Sequence, residues 1–344
     1  MTTLIFLGSL AVVITALLFW GFRHLPSEEW QMIASVPKRR TEGGEWQGMN
    51  LTYYGFFNAT ACAFACAYVL LLMATVGVRW YVSFGVVACG ILIALPAARL
   101  IAWLVEGKRH TFTVAGASLV LVILFPWLLH LTNLLGAGAV HIPERPMLAA
   151  ITIGYAFGES IGRLACISFG CCYGKSLLEK DKTWSRFSFV FSGATKKAAY
   201  ESKLDGVCLI PIQAVTSIIY ALAGFAGSLL FLKARWTAAL IVTLGITQIW
   251  RVISEFFRAD FRGGQRISAY QIMAIAGLAY SLIIFAWLPD DSPQPPDLAS
   301  GLRVFTDGWS LILVQMIWFA VFFYLGRSSV TGSRLRFHVN PDRI

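Results

Sequence analysis

The 344-residue chain is 57% hydrophobic and 13% charged, with a mean hydropathy of +0.68. That balance leaves too little polar surface for an ordinary soluble protein and implies a polytopic membrane protein. The net charge of +10, with no soluble domain interleaving aromatic and basic residues, points to anionic lipid as its counterpart and gives no argument for nucleic acid.

Nine segments approach the roughly 20 apolar residues that cross the hydrocarbon core as a helix. They run over about 4–22, 54–78, 80–105, 112–133, 148–170, 209–232, 237–257, 268–288 and 308–326. The runs lack the alternation of barrel strands, so the expected fold is all-α with about nine transmembrane helices. The first segment has no basic leader and no small-residue cleavage site before Arg23, and reads as a retained helix followed by a polar loop to residue 50. The fifth is interrupted by Glu159 and Arg163. The polar stretch Cys171–Cys208 is long enough for a small cap. From residue 291 the chain continues through a Pro-rich linker, a last helix and a basic tail, and Pro289–Asp297 (Pro-Asp-Asp-Ser-Pro-Gln-Pro-Pro-Asp) reads as stiff and exposed. No internal repeat is evident.

Charges inside apolar spans carry the most information. An arginine at membrane depth costs about 2.5–3.5 kcal/mol, so Arg163 needs a partner or an anionic ligand. Glu159 and Arg163 lie one helical turn apart, as do Arg251 and Glu255, and each pair can share a face. With Arg99, three arginines face two carboxylates. A phosphate would supply the missing anion, because a guanidinium binds it through a planar fork. Pairs that only hold helices together are the structural alternative, and Arg99 could equally reach the interface from its helix end. Gly154, Gly158 and Gly162 recur every four residues, a small-residue face that admits a second helix close to Arg163.

The ordered set resembles the prolipoprotein diacylglyceryl transferase family. Its elements are Tyr54-Gly55, Arg99-Leu100, Gly162-Arg163-Leu164 leading to Gly170 and Gly174, Pro211-x-Gln213, and Arg251-x-x-x-Glu255-Phe256-Phe257-Arg258. The likeness extends from about Tyr54 to Leu288, so residues 51–290 would form a seven-helix core, with the first and last spans as additions. The resemblance implies transfer of a diacylglyceryl group from phosphatidylglycerol, or another anionic glycerophospholipid, to the thiol of a lipoprotein-signal cysteine, with release of glycerol phosphate and no cofactor. It implies a multi-pass protein of the bacterial cytoplasmic membrane with lipoprotein precursors as partners. Arg163 and Arg251 would neutralise the leaving phosphate, Glu255 would orient Arg251, and Tyr54 would position the head group or the thiol. Gly162, Glu159, Arg99, His110, Gln213, Arg258 and Cys171 would line the substrate site.

The chain also departs from that pattern. The family's His-Gly-Gly segment is replaced by Thr113-Val114-Ala115-Gly116, with His110 three residues earlier. Cys166 stands for an asparagine, Cys171 for an acidic residue, Ile210 for a histidine and Thr247 for a tyrosine. These losses fall on the acceptor side, whereas the phosphate-facing arginines remain. Cys62, Cys66 and Cys89 read as small core residues. For Cys171-Cys172 a covalent way-station, a stand-in for the lost polar residue, a disulfide with Cys208 and plain packing all remain open, and no second Cys or His pair has metal-ligand spacing. The competing function is a non-catalytic lipid-binding or lipid-moving protein; a transporter has no inverted repeat to support it.

Orientation divides the signals. With Arg99, Arg163 and Arg251 inside spans and Arg79, Arg145, Lys233, Arg235 and Arg303 on one side, the other 20 of the 28 basic residues share the side of Tyr54, Cys171 and Arg258. The resemblance puts that side outside; the positive-inside rule puts it in the cytoplasm.

Overall fold

The computed structural model describes residues 3–107, 113–135, 141–177, 187–260, 267–289, 294–306 and 308–344. In chain order the long helices are α1 (Thr3–His24), α2 (Tyr53–Thr75), α3 (Trp80–Glu106), α4 (Val114–Leu135) and α5 (Glu144–Phe169). After the six-residue α6 (Lys197–Ser202) come α7 (Ile212–Leu232), α8 (Trp236–Glu255), α9 (Ala269–Trp287), α10 (Leu298–Arg303) and α11 (Gly308–Leu325). The strands are β1 (Met32–Arg40), β2 (Trp46–Thr52), β3 (Phe189–Val190), β4 (Cys208–Leu209) and β5 (Arg327–Leu335).

Among the described residues, eight helices, α1 to α4, α7 to α9 and α11, are long and apolar enough to cross a membrane. The protein is an all-α polytopic membrane protein. The ninth long helix, α5, carries Glu144, Arg145, Glu159 and Arg163 and is the one that burial protects. It packs against α2, α7 and α8, while α9 and α4 close the bundle beyond α8. Its glycine face lies on α2, where a Cβ at Gly154 would stand 2.7 Å from Val69 Cγ2 and one at Gly158 3.1 Å from Ala65 Cβ. Buried hydroxyls tie the same helices together: Ser217 Oγ donates to Ser160 O at 2.6 Å, and Tyr68 Oη to Ser228 Oγ at 2.8 Å. Such bonds contribute about 0.6 kcal/mol each in a membrane, so close packing does more to hold the helices together.

The outermost helices show the reverse pattern. Helix α11 buries only Ser310 and Val321 and exposes Trp309, Met316, Phe319 and Phe323, a surface that suits lipid and not water.

The polar loop and basic tail foreseen at the two ends are strands. β1 and β2 form an antiparallel hairpin with Arg40 opposite Trp46, and β5 adds to its edge with Gly48 opposite Ser333, giving the order β1-β2-β5. The Pro-rich linker likewise ends in α10, capped where Asp297 accepts from the backbone of Ala299 and Ser300 and docked where Asp297 N reaches Thr75 O at 2.8 Å. The three-stranded sheet, the described parts of the cap (171–177 and 187–208), the N-terminal ends of α2, α7 and α9 and the C-terminal ends of α1, α5 and α8 all share one face of the bundle.

Candidate functional site

The site begins as a stripe on α5. Tyr155, Glu159, Arg163 and Cys166 follow one another at helical spacing, so their side chains rise along one face toward the helix end. Arg163 pairs with Glu159 one turn before it. From α8, Arg251 Nη2 comes within 3.8 Å of the same Glu159 oxygen, donates to Tyr155 Oη at 2.6 Å and lies 3.5 Å from Tyr220 Oη on α7. Two guanidinium groups therefore flank one carboxylate. Their side chains are 13% and 9% exposed and that of Glu159 is 11% exposed, so none has escaped to the surface by extension. The Nε atoms of Arg163 and Arg251 are buried without a hydrogen-bond partner among the described residues. At 1.5 Å per residue, Arg163 stands about 9 Å along the axis from the end of α5.

A second layer sits above the first, at the helix ends. Helix α5 closes at Gly170, whose φ of +71° admits the turn in which Gly170 N bonds Ile167 O and Cys171 N bonds Cys166 O. Cys172 then adopts φ +57°, which folds the chain back over the helix. The result brings the sulfurs of Cys166, Cys171 and Cys172 within 4.8 Å of one another. Gln213, in the first turn of α7, fixes this bend by donating from Nε2 to Cys171 O at 3.0 Å, and its Oε1 is buried without a partner among the described residues. The segment beyond pairs with the chain that follows α8, through Lys175 N to Phe257 O and Ala259 N to Tyr173 O. Gly174 permits that contact, because a Cβ there would meet Ile210 O at 2.3 Å. Arg258 is thereby set over the site and held by both oxygens of Asp260, at 2.9 and 3.0 Å. Burial works most strongly against its charge, but Asp260, Cys172 and Glu255 together more than offset that, keeping its pKa above the ordinary value.

Several expected positions lie elsewhere. Arg251 does not pair with Glu255: its ion pair is with Glu159, and Glu255 is 3.8 Å from Arg258 and accepts from Ser268 Oγ at 3.3 Å. Arg99 stands on the outside of the bundle with its guanidinium 5.0 Å from the Tyr324 ring, in a lateral groove of about 540 Å³ with Leu95, Pro96 and Trp103. His110 lies outside the described residues. Gly162 faces Ala61, whose Cβ would stand 3.7 Å from a Cβ added there, and serves the α2 contact. Tyr54 packs its ring on Phe169 and faces the three cysteines electrostatically. No disulfide joins the seven cysteines, Cys208 included.

Sequence reasoning missed Tyr155, Tyr220 and Asp260. Tyr155 was within reach, since it precedes Glu159 by one turn on the same face. Tyr220 comes from a helix whose proximity to Arg251 only tertiary packing sets. The cysteine trio has no signature in pairwise ligand spacing, because it is the turn at Gly170 that brings a helical cysteine onto two that follow it.

No family model matches the chain. It is 24% identical, over 251 aligned residues that take in 61% of this chain and 89% of the relative, to the phosphatidylglycerol–prolipoprotein diacylglyceryl transferase of Dehalococcoides mccartyi.

Proposed function

We propose that this protein moves a diacylglyceryl group from phosphatidylglycerol to a thiol, that of a lipoprotein-signal cysteine, and releases glycerol phosphate from the bacterial cytoplasmic membrane. One observation carries the reading: Arg163 and Arg251 flank a single carboxylate inside the bundle and each retains a buried donor without a partner among the described residues. A phosphate diester carries the negative charge this pair lacks and accepts those donors. The acceptor thiol gives up its proton to solvent, its sulfur attacks the glyceryl carbon, the carbon–oxygen bond to phosphate breaks, and the electron pair stays on the phosphate oxygen. Fixed guanidinium groups in a water-poor site stabilise the growing charge. Glu159 positions both arginines, Glu255 positions Arg258, and Gln213 and Tyr54 border the acceptor side. Arg99, in its lateral groove, meets the lipid head group from the bilayer. The similarity to a diacylglyceryl transferase supports the same donor and acceptor.

A second reading, phospholipid binding without chemistry, is favoured by Cys166 and Cys171 standing where the family has polar or acidic groups. The experiment that separates the two incubates purified protein with head-group-labelled phosphatidylglycerol and a peptide bearing a lipoprotein-signal cysteine. Labelled glycerol phosphate together with a lipidated peptide supports transfer. Lipid retained without release of label establishes the binding protein instead.

A further inference from the structure

Cys166, Cys171 and Cys172 form a cluster that the phosphate chemistry does not use. Cys166 Sγ and Cys172 Sγ are 4.0 Å apart, and all three sulfurs lie within 4.8 Å of one another. Three thiolates around a tetrahedral zinc ion at about 2.3 Å each would stand about 3.8 Å apart, so small side-chain rotations complete the geometry. A Cys166–Cys172 disulfide would need the two sulfurs to close to about 2.05 Å and would leave the third thiol unused. The surroundings suit the metal as well. A zinc ion with three thiolates carries one net negative charge, and Arg163 Nη1 is 3.9 Å from Cys166 Sγ while Arg258 and Lys197 face Cys172. The backbone holds the cluster without metal, through the Cys171 N to Cys166 O bond and the Gln213 contact to Cys171 O.

We propose that Cys166, Cys171 and Cys172 bind a zinc ion, leaving its fourth position to take the acceptor thiol. The second half of the proposal rests on the transferase reading above. Three protein ligands with one open position is the arrangement of zinc sites that engage a substrate, and a thiol that coordinates zinc gives up its proton. Here the acceptor thiol releases its proton to solvent on binding. Its sulfur then attacks the glyceryl carbon as the carbon–oxygen bond breaks toward the phosphate held by Arg163 and Arg251. The thioether, a weaker ligand than the thiolate, leaves the metal. This accounts for thiol activation at a site whose sequence has Cys166 and Cys171 where the family has other polar groups.

The test uses full-length protein in detergent, reduced, stripped with a chelator, loaded with Zn²⁺ or Co²⁺ and desalted. One equivalent of metal per chain is expected, with sulfur-to-cobalt charge-transfer absorption in the Co²⁺ form. Replacing all three cysteines with serine should reduce the metal to background while the unfolding temperature shows a folded protein, and Cys172→Ser alone should weaken Zn²⁺ binding at least tenfold. Cys208→Ser should change neither. Equal metal content in wild type and the triple variant overturns the site. Adding the cysteine peptide to the Co²⁺ form should alter the absorption; an unaltered spectrum overturns the acceptor role. Full transfer by the stripped protein overturns the acceptor role of the zinc and leaves the transferase standing. Stoichiometric zinc without any glycerol phosphate release defeats the transferase and leaves the site.

Discussion

Glu159 neutralises one charge but touches two, and that imbalance gives it a measurable signature. Replacing it with glutamine leaves Arg163 and Arg251 buried without an anion, a change of the kind that costs about 3–5 kcal/mol. Glu159→Gln should therefore lower the unfolding temperature in neutral detergent and regain much of the loss when phosphatidylglycerol is added, an effect absent with phosphatidylcholine alone. Equal rescue by both lipids would place the anion site elsewhere. For Arg251, lysine keeps the charge but cannot reach Tyr155, Tyr220 and a phosphate together from one ammonium. Arg251→Lys is expected to slow transfer by about 10²- to 10³-fold, the range for losing one oriented donor at a developing anion, with a smaller loss in lipid binding. An unchanged rate would remove Arg251 from the chemistry. At this scale the sequence was informative along a helix and silent between helices. The Glu159–Arg163 pair follows from spacing, but the same spacing suggested Arg251–Glu255, and packing chose otherwise: the buried face of α8 turns Arg251 toward α5, while Glu255 sits in the last turn beside Arg258.

Lys196 shows what holds the cap over the site. It is fully buried, and its Nζ donates to Leu25 O at 3.1 Å and Ser168 O at 2.6 Å, joining the cap to the ends of α1 and α5. Burial brings its pKa down from 10.5 to about 7, with Glu28 offsetting part of the effect. An opened cap regains the ordinary lysine value and so binds more protons between pH 7 and about 10.5. The closed form must gain stability as pH rises through that window and draw no further change from this group below pH 7. Hydrogen exchange or protease cleavage in 171–208 should slow accordingly, and Lys196→Met should flatten the response while loosening the cap at high pH, where two carbonyls lose their donor. A slope that survives in Lys196→Met would assign it to another group. Apolar run length announced the long helices, because the bilayer imposes that length. It could not announce β1 and β5, whose faces are largely exposed and carry no strong apolar alternation, nor the half-buried β2 between them, nor the pairing of β2 with β5, which joins residues nearly 300 positions apart. The α10 cap was legible in Asp297 before Leu-Ala-Ser-Gly and was obscured by the prolines preceding it.

At the scale of the whole molecule, the sheet settles which ends travel together. Because β5 pairs with β2, which leads directly into α2, the C-terminal segment lies on the face that carries Tyr54, the cysteine trio and Arg258. Among the described residues, the excess of basic residues lies on that face too. Charge bias alone would place it in the cytoplasm, but a site that draws an anionic lipid to Arg163 and Arg251 needs basic residues on its own side, and the same excess then serves the function. The proposed acceptor is a lipoprotein precursor whose signal cysteine is reached from outside the cytoplasmic membrane. A topology reporter fused after Ile344 is therefore expected to report the outside, and one inserted after Lys233, in the turn between α7 and α8, the cytoplasm. The two positions must disagree, since they stand on opposite faces of the bundle. A cytoplasmic signal from the C-terminal fusion with an outside signal from the inner turn would point Arg163 and Arg251 at the inner leaflet. Lipid recognition by the arginines would survive that result, but a lipoprotein precursor presented from outside would not, and the acceptor would have to be a thiol on the cytoplasmic side.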